Sequence, residues 1–273
     1  MLAVFERIES PKRSWLKNKF LDIFAPSPEG VLELIEDVPY IRISCEERRG
    51  KLPWNRISEI SLDCARRVLM PKDIFPPEGS GLKRFTPSEF PKITLEKLAV
   101  TALLQAEAEP STIKLAICAN AADVKRLLPL VLNCASEIRI ISKDIEALEL
   151  FTEDTAELSG AAIMLTDDPK AVDSCNLIIA PSGLPEGAKG NNKAIVFASG
   201  RRDFEGIQIL SAEVEIPEWL RPAYKPIYDR GEFLAAFYEI ANARRLADLA
   251  PTQAIGRSGS ITPEQLAQVI KSI

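Results

Sequence analysis

Ile113-Lys-Leu-Ala-Ile-Cys118, followed by Ala119-Asn-Ala-Ala-Asp123, is the stretch on which the fold turns. The first segment is a nearly continuous apolar run bounded by a turn, the pattern of a strand buried on both faces of a parallel sheet. The second leads into a helix. It contains no glycine, the residue that lets a backbone close onto a phosphate group at such a turn.

The same unit recurs downstream. Ala121–Cys134 reads as a helix kinked or shortened by Pro129, Glu137–Ser142 as a second strand, and Asp144–Leu158 as a second helix with Asp144 at its N-cap. Ala161–Leu165 is a third strand, Asp168–Ser174 a short crossover, Asn176–Ala180 a fourth strand, Lys193–Ala198 a fifth and Ile207–Leu210 a sixth. Apolar strands alternating with helices predict a doubly wound, mostly parallel, Rossmann-like α/β sheet across residues 111–215.

Residues 1–110 predict a smaller, irregular α/β region. Leu2–Ile8 and Tyr40–Cys45 read as strands, Pro28–Asp37 as a short helix and Ile57–Leu69 as a helix with one apolar face. Residues 71–91 are too rich in proline and glycine for regular structure, and Ile93–Glu107 is a connecting helix. Residues 216–273 predict closing helices that pack back on the first region. These are Glu232–Leu249 and a last helix opened by Thr262-Pro-Glu-Gln265, a capping-box pattern.

Composition narrows the chemistry. A net charge of −5 and pI near 5.2 argue against a nucleic-acid or anionic-membrane surface. No apolar run is long enough for a membrane span, and Met1-Leu-Ala-Val-Phe-Glu-Arg7 becomes charged too early for a signal peptide, so a cytoplasmic location is expected. The five cysteines are scattered and form no C-x-x-C pair, which predicts neither a disulfide framework nor a thiolate metal site. Histidine is absent, which removes Ser-His and Cys-His nucleophile pairs and histidine metal ligation.

Three stretches resemble the two-domain NADP enzymes of the shikimate dehydrogenase and glutamyl-tRNA reductase type. Ile140–Leu148 is similar to their second strand and basic turn, Asp173–Gly183 to their fourth strand and its Pro/Ser/Gly loop, and Ala194–Gly200 to their fifth strand. The resemblance implies a substrate domain, a Rossmann domain and returning C-terminal helices, with Lys143 near an adenosine phosphate and Ser182 near a nicotinamide. Ala119–Asp123 departs from the family's glycine turn, and the first region shows no counterpart of its Lys/Asp pair.

The candidate ligand-binding residues are those that the fold would set at the carboxyl ends of strands, or that combine loop freedom with charge. Lys143 stands where ribose recognition occurs, Ser182 and Gly183 follow the fourth strand, and Arg201 and Arg202 follow the fifth, suited to a carboxylate or phosphate. Lys83 and Arg84 close a Gly-Ser-Gly loop that reads either as an anion-binding turn or as packing anchored by Leu82 and Phe85. No metal site is expected, and catalytic residues are not identifiable. Three readings follow. The first is a Rossmann-like protein that has lost dinucleotide catalysis and binds a small anionic ligand or a protein partner. The second is an NAD(P)-dependent oxidoreductase with an atypical phosphate turn, NADP being the cofactor that Lys143 would favour. The third is an assembly protein that docks through the Pro-rich loop.

Overall fold

The computed structural model describes residues 1–8, 27–48, 50–189, 191–200, 204 and 206–273. In chain order these form β1 (Leu2–Ile8), β2 (Glu29–Ile35), β3 (Val38–Glu46), α1 (Trp54–Ser61), β4 (Val68–Leu69), α2 (Phe90–Ala106), β5 (Lys114–Cys118), α3 (Ala121–Val131) and β6 (Glu137–Ile141). There follow α4 (Ile145–Ser159), β7 (Ala162–Thr166), β8 (Leu177–Ala180), β9 (Ile195–Ala198), β10 (Ile207–Val214), α5 (Arg230–Glu239), β11 (Pro251–Gly256), β12 (Gly259–Ile261) and α6 (Pro263–Lys271). The chain divides into two compact units: residues 1–90 with 216–248, and residues 91–215 with 249–273.

The first unit is built on a four-stranded sheet, order β2-β3-β1-β4. The stretch expected as a helix, Pro28–Asp37, is instead strand β2 and a tight turn into β3. Its apolar residues fall on both faces, so no alternation announced a strand, and pairing with β3 decided the outcome. The expected single helix at Ile57–Leu69 is α1 followed by a short 3-10 turn and β4, with Leu62 left-handed (φ 47°) at the break. Glu232–Leu249 is also not one helix: α5 ends at Glu239, and Asn242 turns left-handed (φ 61°) beyond it. Phe233 and Phe237 of α5 pack together, Phe237 meets Tyr40 edge-on, and the fully buried Tyr228 donates its hydroxyl to the Phe5 carbonyl at 3.0 Å.

The second unit carries an eight-stranded sheet, order β12-β11-β10-β9-β8-β5-β6-β7, in which β5 to β10 are parallel. Counted from β5, those six strands run 3-2-1-4-5-6, the Rossmann order, with the reversal between β5 and β8. This is a Rossmann-like α/β fold. β11 and β12 form an antiparallel hairpin on the far edge, within a segment from which the sequence predicts only closing helices. α6 opens as expected, with Thr262 and Gln265 closing a capping box.

The two faces of this sheet differ. Leu115, Ile117, Ile138, Ile140, Ile179 and Phe197 point to a core shared with Leu98 and Ala102 of α2, Leu127 of α3 and Leu266 of α6. The opposite face presents smaller side chains, among them Ala116, Cys118, Ala180 and Ala198. Its cover comes from Val172 in the 3-10 turn Pro169–Ser174 and from Leu184 and Phe204 in loops. Small residues on this face let the 3-10 turn and these loop residues lie close on the sheet. No helix among the described residues is long and apolar enough to cross a membrane.

Candidate functional site

In a sheet of this order, ligands sit beyond the carboxyl ends of the strands, at the reversal between the first and fourth. The helix that starts there, α3, presents first-turn N–H groups and the positive end of its dipole to any anion. In this protein two of those donors are already engaged by the chain itself. The Asp144 Oδ2, at the end of β6, accepts from the Ala121 N–H at 2.9 Å. The Asn120 Oδ1 accepts from the Asp123 N–H at 3.0 Å, and its Nδ2 donates to Asp123 Oδ2 at 2.9 Å. Arg126 then bridges Asp123 (2.8 Å) and Glu96 (2.5 Å). Two carboxylates thus flank the start of α3, and Ala122 is the only residue of 121–123 whose N–H these two acceptors leave untouched.

Asp144 stands at the N-cap position of α4, as expected, but makes no capping bond to its own helix. Its carboxylate turns across to the neighbouring helix, where an unsatisfied N–H is within reach. Asn120 is the residue that sequence reasoning passed over. The signal was present, since Asn one position before a helix with Asp three residues on is an N-cap pattern.

At the same sheet edge, Lys143 is exposed at the end of β6, and Ser182 is exposed in the turn after β8. β5 alone separates β6 from β8, which sets their ends about 10 Å apart. The Gly183 N–H closes that turn on the Ala180 carbonyl at 2.8 Å, and a Cβ at Gly183 would lie 3.4 Å from the Ser199 carbonyl oxygen. The loops after β8 and β9 therefore meet at this glycine. Arg201 and Arg202 lie outside the described residues.

Lys83 and Arg84 belong to the other unit. Arg84 donates to the carbonyls of Pro71 (2.7 Å) and Ile74 (3.0 Å) and to Glu232 Oε2 (2.6 Å), and lies over the Phe75 ring. Its guanidinium holds the proline-rich loop together and ties it to α5, while Leu82 and Phe85 are buried beside it. Lys83 is exposed.

Burial disfavours the thiolate forms of Cys118 and Cys175 in the second unit. Burial pushes Cys118 up to about 12, reinforced by Cys175, and burial pushes Cys175 up to about 11. Among the described residues, no cluster of three or more His, Cys, Asp or Glu is arranged to hold a metal ion.

No known protein family matches the chain, and no curated protein does. Among solved structures, the L-tryptophan dehydrogenase of Nostoc punctiforme is similar at a TM-score of 0.32 and 12 % identity, over 76 % of this chain and 75 % of that one. A likeness at this level says nothing of substrate or cofactor, and the Rossmann-like assignment rests on the strand order.

Proposed function

We propose that this chain is a Rossmann-like protein that takes no dinucleotide in the usual pose and instead binds a small anionic ligand in the crevice beyond the ends of β6 and β8. One observation carries the reading: the Asp144 carboxylate accepts from the Ala121 N–H at 2.9 Å, on the ground where a pyrophosphate would lie. An incoming diphosphate would have to displace Asp144 and approach Asp123 as well, and like charges at a few ångströms are costly in a partly desolvated site. Lys143, with Ser182 and Gly183, supplies a cation and hydrogen-bonding groups suited to a smaller anion, and Arg201 and Arg202 follow β9 in the sequence.

The competing reading is an NADP-dependent oxidoreductase, favoured by the exposure of Lys143 where a 2′-phosphate would be recognised. Thermal unfolding in millimolar NADPH, NADP, NAD and ATP, alongside inorganic phosphate and small dicarboxylates, separates the two. Ligand at about one hundred times its dissociation constant adds roughly 2.7 kcal/mol, a shift of several degrees. The expected outcome is no shift with the nucleotides and a shift with a small anion that Lys143→Glu removes. A saturable shift with NADP(H) in the wild-type chain, lost in Lys143→Glu, would overturn the proposal in favour of the oxidoreductase.

A further inference from the structure

β2 ends the sheet of the first unit, and no other strand among the described residues lies on its outer side. Val31, Leu32 and Leu34 are 51, 68 and 69 % exposed. Soluble proteins ordinarily blunt such an edge with lysine, proline or a bulge. This seven-residue strand, Glu-Gly-Val-Leu-Glu-Leu-Ile, has neither lysine nor proline, and its pairing with β3 is in unbroken register.

We propose that this edge is the interface of a homodimer, with β2 pairing antiparallel to β2 of a second copy and Leu32 on the two-fold axis. An axis normal to the sheet keeps each face on its own side, so that opposing residues must share parity along the strand. That leaves three registers that use most of β2. Centring on Val31 sets Glu29 against the partner's Glu33, and centring on Glu33 sets the two Glu33 carboxylates against each other. Like charges directly opposite destabilise a strand pair.

Centring on Leu32 opposes no like charges. Glu33 then faces the partner's Val31, Glu29 the partner's Ile35 and Gly30 the partner's Leu34. The register with β3 extends the pattern, because Leu32 lies opposite Ile41, Val31 opposite Arg42 and Glu33 opposite Tyr40. On one face an unbroken apolar row runs from Ile41 through Leu32 to the partner's Leu32 and the partner's Ile41. On the other face Glu33 keeps its ion pair with Arg42 at 2.8 Å and its hydrogen bond from Tyr40. The exposed leucines, unexplained in a monomer, acquire a partner, and the charges choose the register.

A strand-edge contact is small beside the roughly 1,200–2,000 Å² of a standard stable interface, so dimerisation is expected to depend on concentration. Sedimentation velocity of the full chain over about two decades of concentration should show monomer converting to dimer. Leu32→Lys, which puts two cations together on the axis, should remain monomeric throughout. In a Cys134→Ser background, where the remaining native thiols are buried, oxidised Leu32→Cys should cross-link as a dimer, whereas Leu34→Cys, facing the partner's Gly30, should not. Wild-type chain that stays monomeric across the range would overturn the proposal. So would a dimer indifferent to Leu32→Lys, or preferential cross-linking of Leu34→Cys. The cross-linking result decides the matter even where Leu32→Lys lowers the unfolding midpoint.

Discussion

The two halves of the parallel sheet are connected in different ways. β5, β6 and β7 are joined through full helices, α3 and α4, and the first turn of α3 takes its acceptors, Asn120 and Asp144, from the same half. β8 is reached through a six-residue 3-10 turn, and the connections to β9 and β10 hold no helix among their described residues. The helical half stabilises itself locally, by capping and by periodic burial. The loop half depends on close packing against the small residues of its sheet face and on backbone conformations available to few residue types. What a helix does with many weak contacts, the loop half does with a few demanding ones, so substitutions there should be more damaging per atom changed.

The largest expected effect is in the shared core of the loop half. Phe197 of β9 is fully buried, and Phe197→Ala should lower stability by about 4 kcal/mol, as is typical of a large-to-small aromatic change, readable as a fall in denaturation midpoint. Next comes Gly206→Ala at the entry to β10. Gly206 has φ of 126°, and a Cβ there would meet the Ala194 carbonyl oxygen at 2.5 Å. Strain and clash together should cost about 3 kcal/mol. Gly160, the left-handed cap of α4, offers the contrast: φ is 70° and a Cβ would meet nothing within 4 Å. Gly160→Ala should therefore cost only about 1 kcal/mol. Equal losses for the two glycines, measured by urea unfolding, would erase the distinction between the halves.

A smaller effect is expected at the start of α3, where Asn120→Ala removes an N-cap acceptor and should cost about 1 kcal/mol. The smallest is a pH effect in β6. The Glu137 carboxyl is held below its usual range mainly by the hydrogen bond from Arg139, with Lys114 adding a weaker attraction. A carboxyl depressed in the folded chain contributes stability above its unfolded pKa and loses it as pH falls through the folded value. Between about pH 6 and pH 3, wild-type chain should therefore lose slightly more stability than Glu137→Gln, and parallel acid profiles would show that this pair contributes nothing. Arg139 also donates to the Ala171 carbonyl at 3.0 Å and to Ser174. It therefore links β6 to the crossover that opens the loop half.

β5, β8 and β9 of the second unit were legible as strands because burial on both faces turns them into compact apolar runs, separated by segments too polar to join them. Helix starts were legible where capping chemistry is local, as at Thr262. β2 was not legible, because its apolar residues serve both faces and its turn, Glu36-Asp37 with Glu36 at φ 48°, lacks the glycine or asparagine that marks a tight hairpin. The hairpin of β11 and β12 was missed for a related reason. Its strands are short, and β11 depends on pairing with β10, a strand far earlier in the chain. In the candidate site, Lys143, Ser182 and Gly183 could be placed from strand ends alone, whereas the role of Asp144 could not.

The sequence by itself determined the composition of the parallel sheet and the lack of a glycine turn before α3. It likewise excluded histidine chemistry, since that depends only on residue type. Apolar period, capping residues and turn formers act over a few positions, so they can be read one segment at a time. Only the tertiary structure decided that Asp144 caps α3 and leaves its own helix uncapped, and that Arg84 is committed to loop carbonyls and Glu232. It also decided that 216–248 fold with the first unit and 249–273 with the second. Each of these depends on groups far apart in the chain, which of many compatible partners a donor meets, and that choice is made by packing and not by any local pattern.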